Sequence, residues 1–211
     1  MRSDLESVLM VVFANAAAIA VALWQRWPLN LLLWTYWLQS VVIGWYSGRR
    51  ILALQRFSTE GTSGFTGGSD EEIKRNTVKI FAAHYGIFHF VYMFFLFIFQ
   101  TTGKAPEMTG TDAAWILALG AMFALTHRAS FKRNLENDMR GRPNIGTLMF
   151  LPYARVVPMH LTFIFGIQMG FTGALLLFSS LKTAADVLMH VVEHRILAKP
   201  APPGPGGKMD S

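Results

Sequence analysis

Six stretches of this chain are apolar for long enough to cross a bilayer, and that length constraint decides most of what it can fold into. They run approximately over residues 6–24, 29–47, 76–100, 112–128, 150–170 and 172–196. Each is about 17–25 residues, the length a helix needs to span the hydrocarbon core. Within hydrocarbon every backbone N–H and C=O must be paired inside its own segment, so lone spans of this length are helices. Composition agrees: 52% of the residues are hydrophobic and only 15% are charged, against about 25% charged in an ordinary soluble domain. The sequence predicts an all-α, polytopic transmembrane bundle of about six spans, forming one domain over residues 1–197. A Pro/Gly-rich cytoplasmic tail, residues 198–211 (AKPAPPGPGGKMDS), is too poor in apolar residues to join a core and is expected to be disordered.

The first two spans are separated only by the turn at Gln25–Pro28, and the last two only by the Gly170 region. A series of hairpins fits these lengths better than long broken helices. Asp4 and Glu6 precede the first apolar run, and no small-residue cleavage site follows it, so a signal peptide fits poorly.

Orientation follows from the basic residues. With a cytoplasmic N-terminus, 16 of the 19 Lys and Arg fall on the cytoplasmic side. Arg26 and Lys104 fall on the other side, and Lys182 lies within a span. Both termini are then cytoplasmic, and the chain belongs in a bacterial inner (plasma) membrane. The net charge of +6 reports topology and contact with anionic membrane lipids rather than nucleic-acid binding. The absence of cysteine excludes disulfides, thiolate catalysis and Cys-ligated metal centres.

The connections differ in kind. Residues 57–72 (FSTEGTSGFTGGSDEE) read as a mobile cytoplasmic loop, and Ser69-Asp70-Glu71-Glu72 as the acidic, capped start of the third helix. Residues 128–142 carry the fourth helix on as a basic surface segment, stopped by Pro143.

The last span holds the least expected residues: Lys182, Asp186, His190, Glu193 and His194. Intramembrane ionisable groups are costly and mark function by default. At 100° per residue, Lys182, Glu193, Asp186, His190 and His194 fall at about 0, 20, 40, 80 and 120°, on one third of the helix circumference. His190-Val191-Val192-Glu193-His194 also has the HxxEH spacing of an inverted zinc-peptidase motif.

Helix rise places other groups at comparable depth. His84 is expected roughly 13 Å below the cytoplasmic surface, His160 about 12–15 Å, His190 about 9 Å and Asp186 about 15 Å. These four would form one His/carboxylate layer. His89, about 140° from His84, reads as a hydrogen-bonded core residue. His127 reads as an interfacial partner of a helix C-terminus. Pro158 should kink the fifth span just before His160, and Arg155 is expected to snorkel to the interface or, alternatively, to hold an anionic head group or pair with Glu193.

Histidines at i and i+4 reach one ion, and a catalytic zinc keeps three protein ligands and a water. His190 and His194 would supply two ligands and His84 or His160 the third, with Asp186 ligating or orienting. Glu193 would act as general base on the metal-bound water, and Lys182 or Arg155 would stabilise negative charge. Nitrogen and oxygen donors suit zinc or iron(II). The activity so implied is hydrolysis of a lipid-like amide or ester.

The segments HYGIFHF (84–90), RVVPMH (155–160) and KTAADVLMHVVEH (182–194) together resemble a bacterial family of small multi-pass membrane proteins of unassigned function. A lone helix histidine with an HxxxH pair on the last helix is similar, more distantly, to the zinc site of alkaline ceramidases and adiponectin-receptor-like proteins. That resemblance implies amide hydrolysis by zinc-bound water. It maps onto His190 and His194 with His84 or His160, in a chain of six spans where that superfamily has seven.

Other classes stay open. Lys182 and Asp186, at i and i+4, also suit a purely structural ion pair. A bis-histidine haem protein would pair His84 or His89 with His160 or His190. A proton-coupled transporter would use Lys182, Asp186 and His190 as a relay. A structural or assembly subunit would need none of these groups.

Overall fold

A computed structural model of the chain describes residues 28–62, 67–101 and 108–192, together with positions 9, 12, 13, 20 and 24. The side chains of 167, 170, 171 and 190 are outside the description, as are Glu193 and His194, nearly all of the first expected span, and the Pro/Gly tail. Among the described residues every element is helical. They are α1 (Leu29–Leu52), α2 (Asp70–Thr101), α3 (Gly110–Arg140), α4 (Ile145–Phe150), a 3-10 stretch (Leu151–Arg155), α5 (Val156–Phe165), a 3-10 turn (Gly166–Gln168) and α6 (Gly170–Val191). One isolated parallel bridge joins Ser58 to Asn144.

Four helices have the length and apolarity to cross a membrane: Asp70–Thr101, Gly110–Arg140, Ile145–Phe165 and Thr172–Met189. The expected run at 150–170 is thus the last part of a longer path that begins at Ile145 and passes through two helix types. The 24-residue α1 is not among the four. Its Asn30, Gln39, Ser40 and several Trp and Tyr lower its hydropathy, and it occupies the middle, packed against α2, α3, α4, the 3-10 stretch and α6.

The outward faces are strongly apolar. On α2, Ile80, Ile87, Phe90, Phe94 and Phe97 are all at least half exposed, while Phe81, Tyr85, His89, Tyr92 and Leu96 are buried. Both sets recur at helical spacing, three, four or seven residues apart. An exposed apolar stripe this long suits a lipid solvent.

Cross-contacts establish the directions. Asn30 bonds Gln100 and Ser40 bonds Tyr85, so α1 and α2 are antiparallel. Gly120 meets Leu38 and Asp138 meets Arg50, so α3 runs parallel to α1. Arg155 reaching Asp186 makes α5 and α6 a hairpin about the Gly166–Gln168 turn. Lipid supplies no hydrophobic drive between helices, so small residues and polar contacts hold the bundle. A Cβ on Gly44 would sit 2.5 Å from Tyr85 Cε1, which shows how closely α1 approaches that ring.

Caps follow the sequence reading. Ser69 Oγ accepts from Glu72 N at 3.3 Å, and Ser69 N donates to Glu72 Oε2 at 2.8 Å, a capping box at the start of α2. Thr109 and Asp112 repeat it on α3. Helix α3 runs on through Arg128 to Arg140, as expected, so His127 lies mid-helix rather than at its end. There it stacks on Phe123 and lies against Tyr46.

The 57–72 loop departs from expectation in its first half. Phe57 is buried, Ser58 N donates to Pro143 O, Ile145 N donates to Ser58 O, and Arg142 Nε donates to Phe57 O. Residues 57–60 are pinned by this pairing to the segment before α4.

Candidate functional site

The charged interior is built around one short non-α stretch. Pro152 begins it with a fixed φ and no N–H, and Pro158 cannot donate to the carbonyl one turn back. Over Leu151–Arg155 the chain takes 3-10 geometry, with Val156 N donating to Tyr153 O. Positions three apart eclipse in such a helix. Pro152 and Arg155 therefore share an edge, and Pro158, already within α5, is fully buried like Pro152. That edge carries Arg155 inward, and its side chain is only 11% exposed. Snorkelling is ruled out for this residue.

Arg155 Nη2 donates to Asp186 Oδ1 at 3.2 Å, and Lys182 Nζ donates to Asp186 Oδ2 at 2.7 Å. Two cations thus share one carboxylate. The guanidinium carbon lies 5.3 Å from the centre of the Tyr36 ring and 5.7 Å from that of Phe123. One residue from the 3-10 stretch therefore joins α1, α3 and α6. Arg155 Nε and Nη1 are buried with no hydrogen-bond partner, and so is the Tyr36 hydroxyl. Unmade bonds of this kind cost about 1–3 kcal/mol each.

A second polar system pairs histidines with tyrosines. His89 is buried, bonded through Nδ1 to Tyr85 O at 2.8 Å and through Nε2 to Ser40 Oγ at 2.9 Å. It is the hydrogen-bonded core residue that its helix position predicted. His84 Nδ1 bonds Tyr153 Oη at 2.9 Å, and His160 Nδ1 bonds Tyr92 Oη at 3.1 Å. Both of these imidazoles are exposed on the outside of the described bundle. Their partners differ in level: His84 and Tyr92 are eight residues apart on α2, about 12 Å along its axis. His84 and His160 therefore stand at different levels, where uniform depth put them together; the span that holds His160 begins at Ile145 rather than near Phe150.

Over residues 1–203 the sequence matches DUF6498, a family of unknown function. The chain belongs to that family. No curated protein and no solved structure matches it. The likeness of this DUF6498 chain to ceramidase-type hydrolases therefore rests on the motif spelling alone.

The candidate residues of the DUF6498 chain separate into groups. Arg155, Lys182 and Asp186 are brought together. His84 and His160 are placed apart from each other, each with its own tyrosine. His190 has its backbone one turn beyond Asp186 on α6, while its side chain, Glu193 and His194 lie outside the described residues. Among the described residues no three His, Cys, Asp or Glu side chains gather as a metal would require.

Sequence reasoning missed Tyr36, Phe123, Tyr153 and Tyr92. Each is an ordinary aromatic residue in an apolar run, and nothing local distinguishes it. The Pro152/Pro158 spacing was the available signal for a special Arg155.

A second buried pair ties the C-terminal ends of α1 and α3: Arg50 bonds Asp138 through Nε and, at 2.8 Å, through Nη2. Beside it a cavity of about 30 Å³, lined among others by Tyr46, Arg50, His127 and Met189, has room for one or two waters.

Proposed function

We propose that this chain is a multi-pass membrane protein of about six spans with both termini cytoplasmic, and that it binds a ligand at the Arg155–Asp186–Lys182 cluster. What supports this reading is Arg155 itself. A guanidinium with open N–H groups, held inside a helix bundle by an irregular stretch between two prolines, is a costly arrangement for a purely structural bond. Irregular backbone at membrane depth is tolerated where it is buried in protein or lines a cavity. A structural pair would use a regular helix and satisfy the donors. The binding reading also accommodates a carrier, since Lys182 and Asp186 belong to the same cluster.

The test is native mass spectrometry of the detergent-purified protein, wild type beside Arg155→Gln and Lys182→Gln. A bound molecule is expected on the wild type and depleted in both variants. Identical spectra from all three would overturn the reading.

A zinc-dependent hydrolase of a lipid-like amide or ester is the second reading. It is favoured by the anchoring of His84 and His160, whose Nδ1 atoms are held by tyrosines while Nε2 is left without a hydrogen-bond partner. Metal-ligating histidines are commonly oriented this way by a hydrogen bond at the other nitrogen. His190 and His194 would be the principal ligands, with one of these two as the third and Glu193 as base. Both oxygens of Asp186 already serve Arg155 and Lys182, so that carboxylate fits an orienting role better than a ligating one. Elemental analysis of the purified protein decides: without stoichiometric zinc, iron or copper this reading fails. Haem is less well accommodated, because His89 uses both ring nitrogens and His84 and His160 are two turns apart. A Soret band in the purified protein would restore it.

A further inference from the structure

We infer that the ligand of this cluster presents an oxyanion, a carboxylate or a phosphate, to Arg155 and the Tyr36 hydroxyl. The inference rests on the binding reading above and adds the chemistry of what is bound.

Charge comes first. Arg155 and Lys182 both turn to the Asp186 carboxylate, so two cations stand at the cluster. A cationic ligand would be repelled by both, and an anion attracted by both.

Hydrogen-bond direction comes second. A guanidinium has five N–H donors and no acceptor. Asp186 engages Nη2 only, and the N–H groups on Nε and Nη1 are buried without acceptors. The walls offer none: Tyr36 and Phe123 present aromatic rings to the guanidinium. Tyr36 is itself 2% exposed, and its hydroxyl has no partner. These open groups want an acceptor with several lone pairs, which an oxyanion supplies in planar or tetrahedral form.

Backbone comes third. Arg155 sits at the end of the 3-10 stretch, flanked by two prolines without amide donors. This is the part of the α5–α6 hairpin with the fewest α-helical bonds to break. A 3-10 stretch within a helical path often marks a hinge, and a ligand headgroup entering between α1 and the hairpin would displace this segment first.

The chemistry is shared by a lipid headgroup, a fatty carboxylate and a free anion, and one experiment separates them. The full-length protein in neutral maltoside micelles is titrated by calorimetry with dihexanoyl phosphatidic acid, octanoate, inorganic phosphate and octylamine. The phosphatidic acid or octanoate is expected to bind, with affinity reduced at least tenfold by Arg155→Gln. Tyr36→Phe keeps the ring and tests the hydroxyl separately, with an expected loss of several fold. Binding by inorganic phosphate as tightly as by the lipid would assign a soluble anion, and binding by the amphiphiles alone a membrane-borne one. Anion binding unchanged in both variants, or absent from the wild type, overturns the oxyanion inference. Octylamine binding that is lost on Asp186→Asn would also overturn it while leaving the cluster a binding site. Should Arg155→Gln fail to fold, the Tyr36→Phe titration alone decides.

Discussion

Replacing Asp186 with asparagine removes one negative charge and changes almost no volume. In the native cluster that charge faces Arg155 Nη2 at 3.2 Å and Lys182 Nζ at 2.7 Å. Two effects of different size are in competition. The interhelical bond from Arg155 is worth about 0.6 kcal/mol on average and the i,i+4 bond from Lys182 a few tenths, so the two lost bonds alone amount to roughly 1 kcal/mol. Removing one partner of a buried ion pair costs about 3–5 kcal/mol, because the other charge stays behind uncompensated. The side chains of Arg155 and Asp186 are 11% and 14% exposed, so the second figure governs that pair. Lys182, 29% exposed, is partly relieved by its surroundings. Asp186→Asn is expected to lower stability by about 3 kcal/mol, a fall of roughly a hundredfold in the folding equilibrium constant. Titration of the micellar protein with dodecyl sulfate, followed by helical circular dichroism, measures it. The triple change Arg155→Met, Asp186→Leu and Lys182→Met should recover most of the loss, since well-packed apolar residues often replace a buried ionic group at no net cost. An Asp186→Asn protein within about 1 kcal/mol of wild type would refute the reasoning, because hydrogen bonds alone would then account for the cluster.

Other expectations follow from the packing. Gly44→Ala should cost about 1–3 kcal/mol in the same titration, since its Cβ collides with the Tyr85 ring, whose hydroxyl bonds Ser40 and whose face packs on His89. Gly120→Ala meets only the flexible end of Leu38 and should cost less than about 1 kcal/mol. Asp138→Asn removes the buried carboxylate that Arg50 bonds and should lower stability by about 3 kcal/mol, read as earlier loss of helix. The chain has no native cysteine, so single cysteines report topology directly. Glu136→Cys is expected to react with a membrane-impermeant maleimide from the cytoplasmic side only, and Thr111→Cys from the opposite side only.

The four long apolar helices were legible because bilayer length and backbone pairing act locally: an apolar run of sufficient length has one stable answer. The cap at Ser69 was legible in kind for the same reason, since a cap and its partner lie three residues apart. Lys182 and Asp186 could be paired on paper because a helix puts i and i+4 together. Arg155 could not be joined to them that way. Its partner is 31 residues distant, and whether it turns inward or reaches the surface depends on the 3-10 geometry of Leu151–Arg155. The His84/His160 layer differs for another reason: the depth of His160 counts from where its span enters, and that span begins at Ile145 rather than near Phe150.

Taken by itself, the sequence determined an all-helical membrane chain with a set of polar groups too expensive to be incidental. Tertiary structure alone decided which of those groups meet. It gave Asp186 to Arg155 and Lys182, enclosed the guanidinium between Tyr36 and Phe123, and set His84 and His160 two turns apart on separate tyrosines. The division has a physical origin. Span formation is governed by transfer of each segment into lipid, which is a sum over its own residues. Pairing of charges across helices is governed by the register and tilt at which the segments pack, and no single segment carries that information.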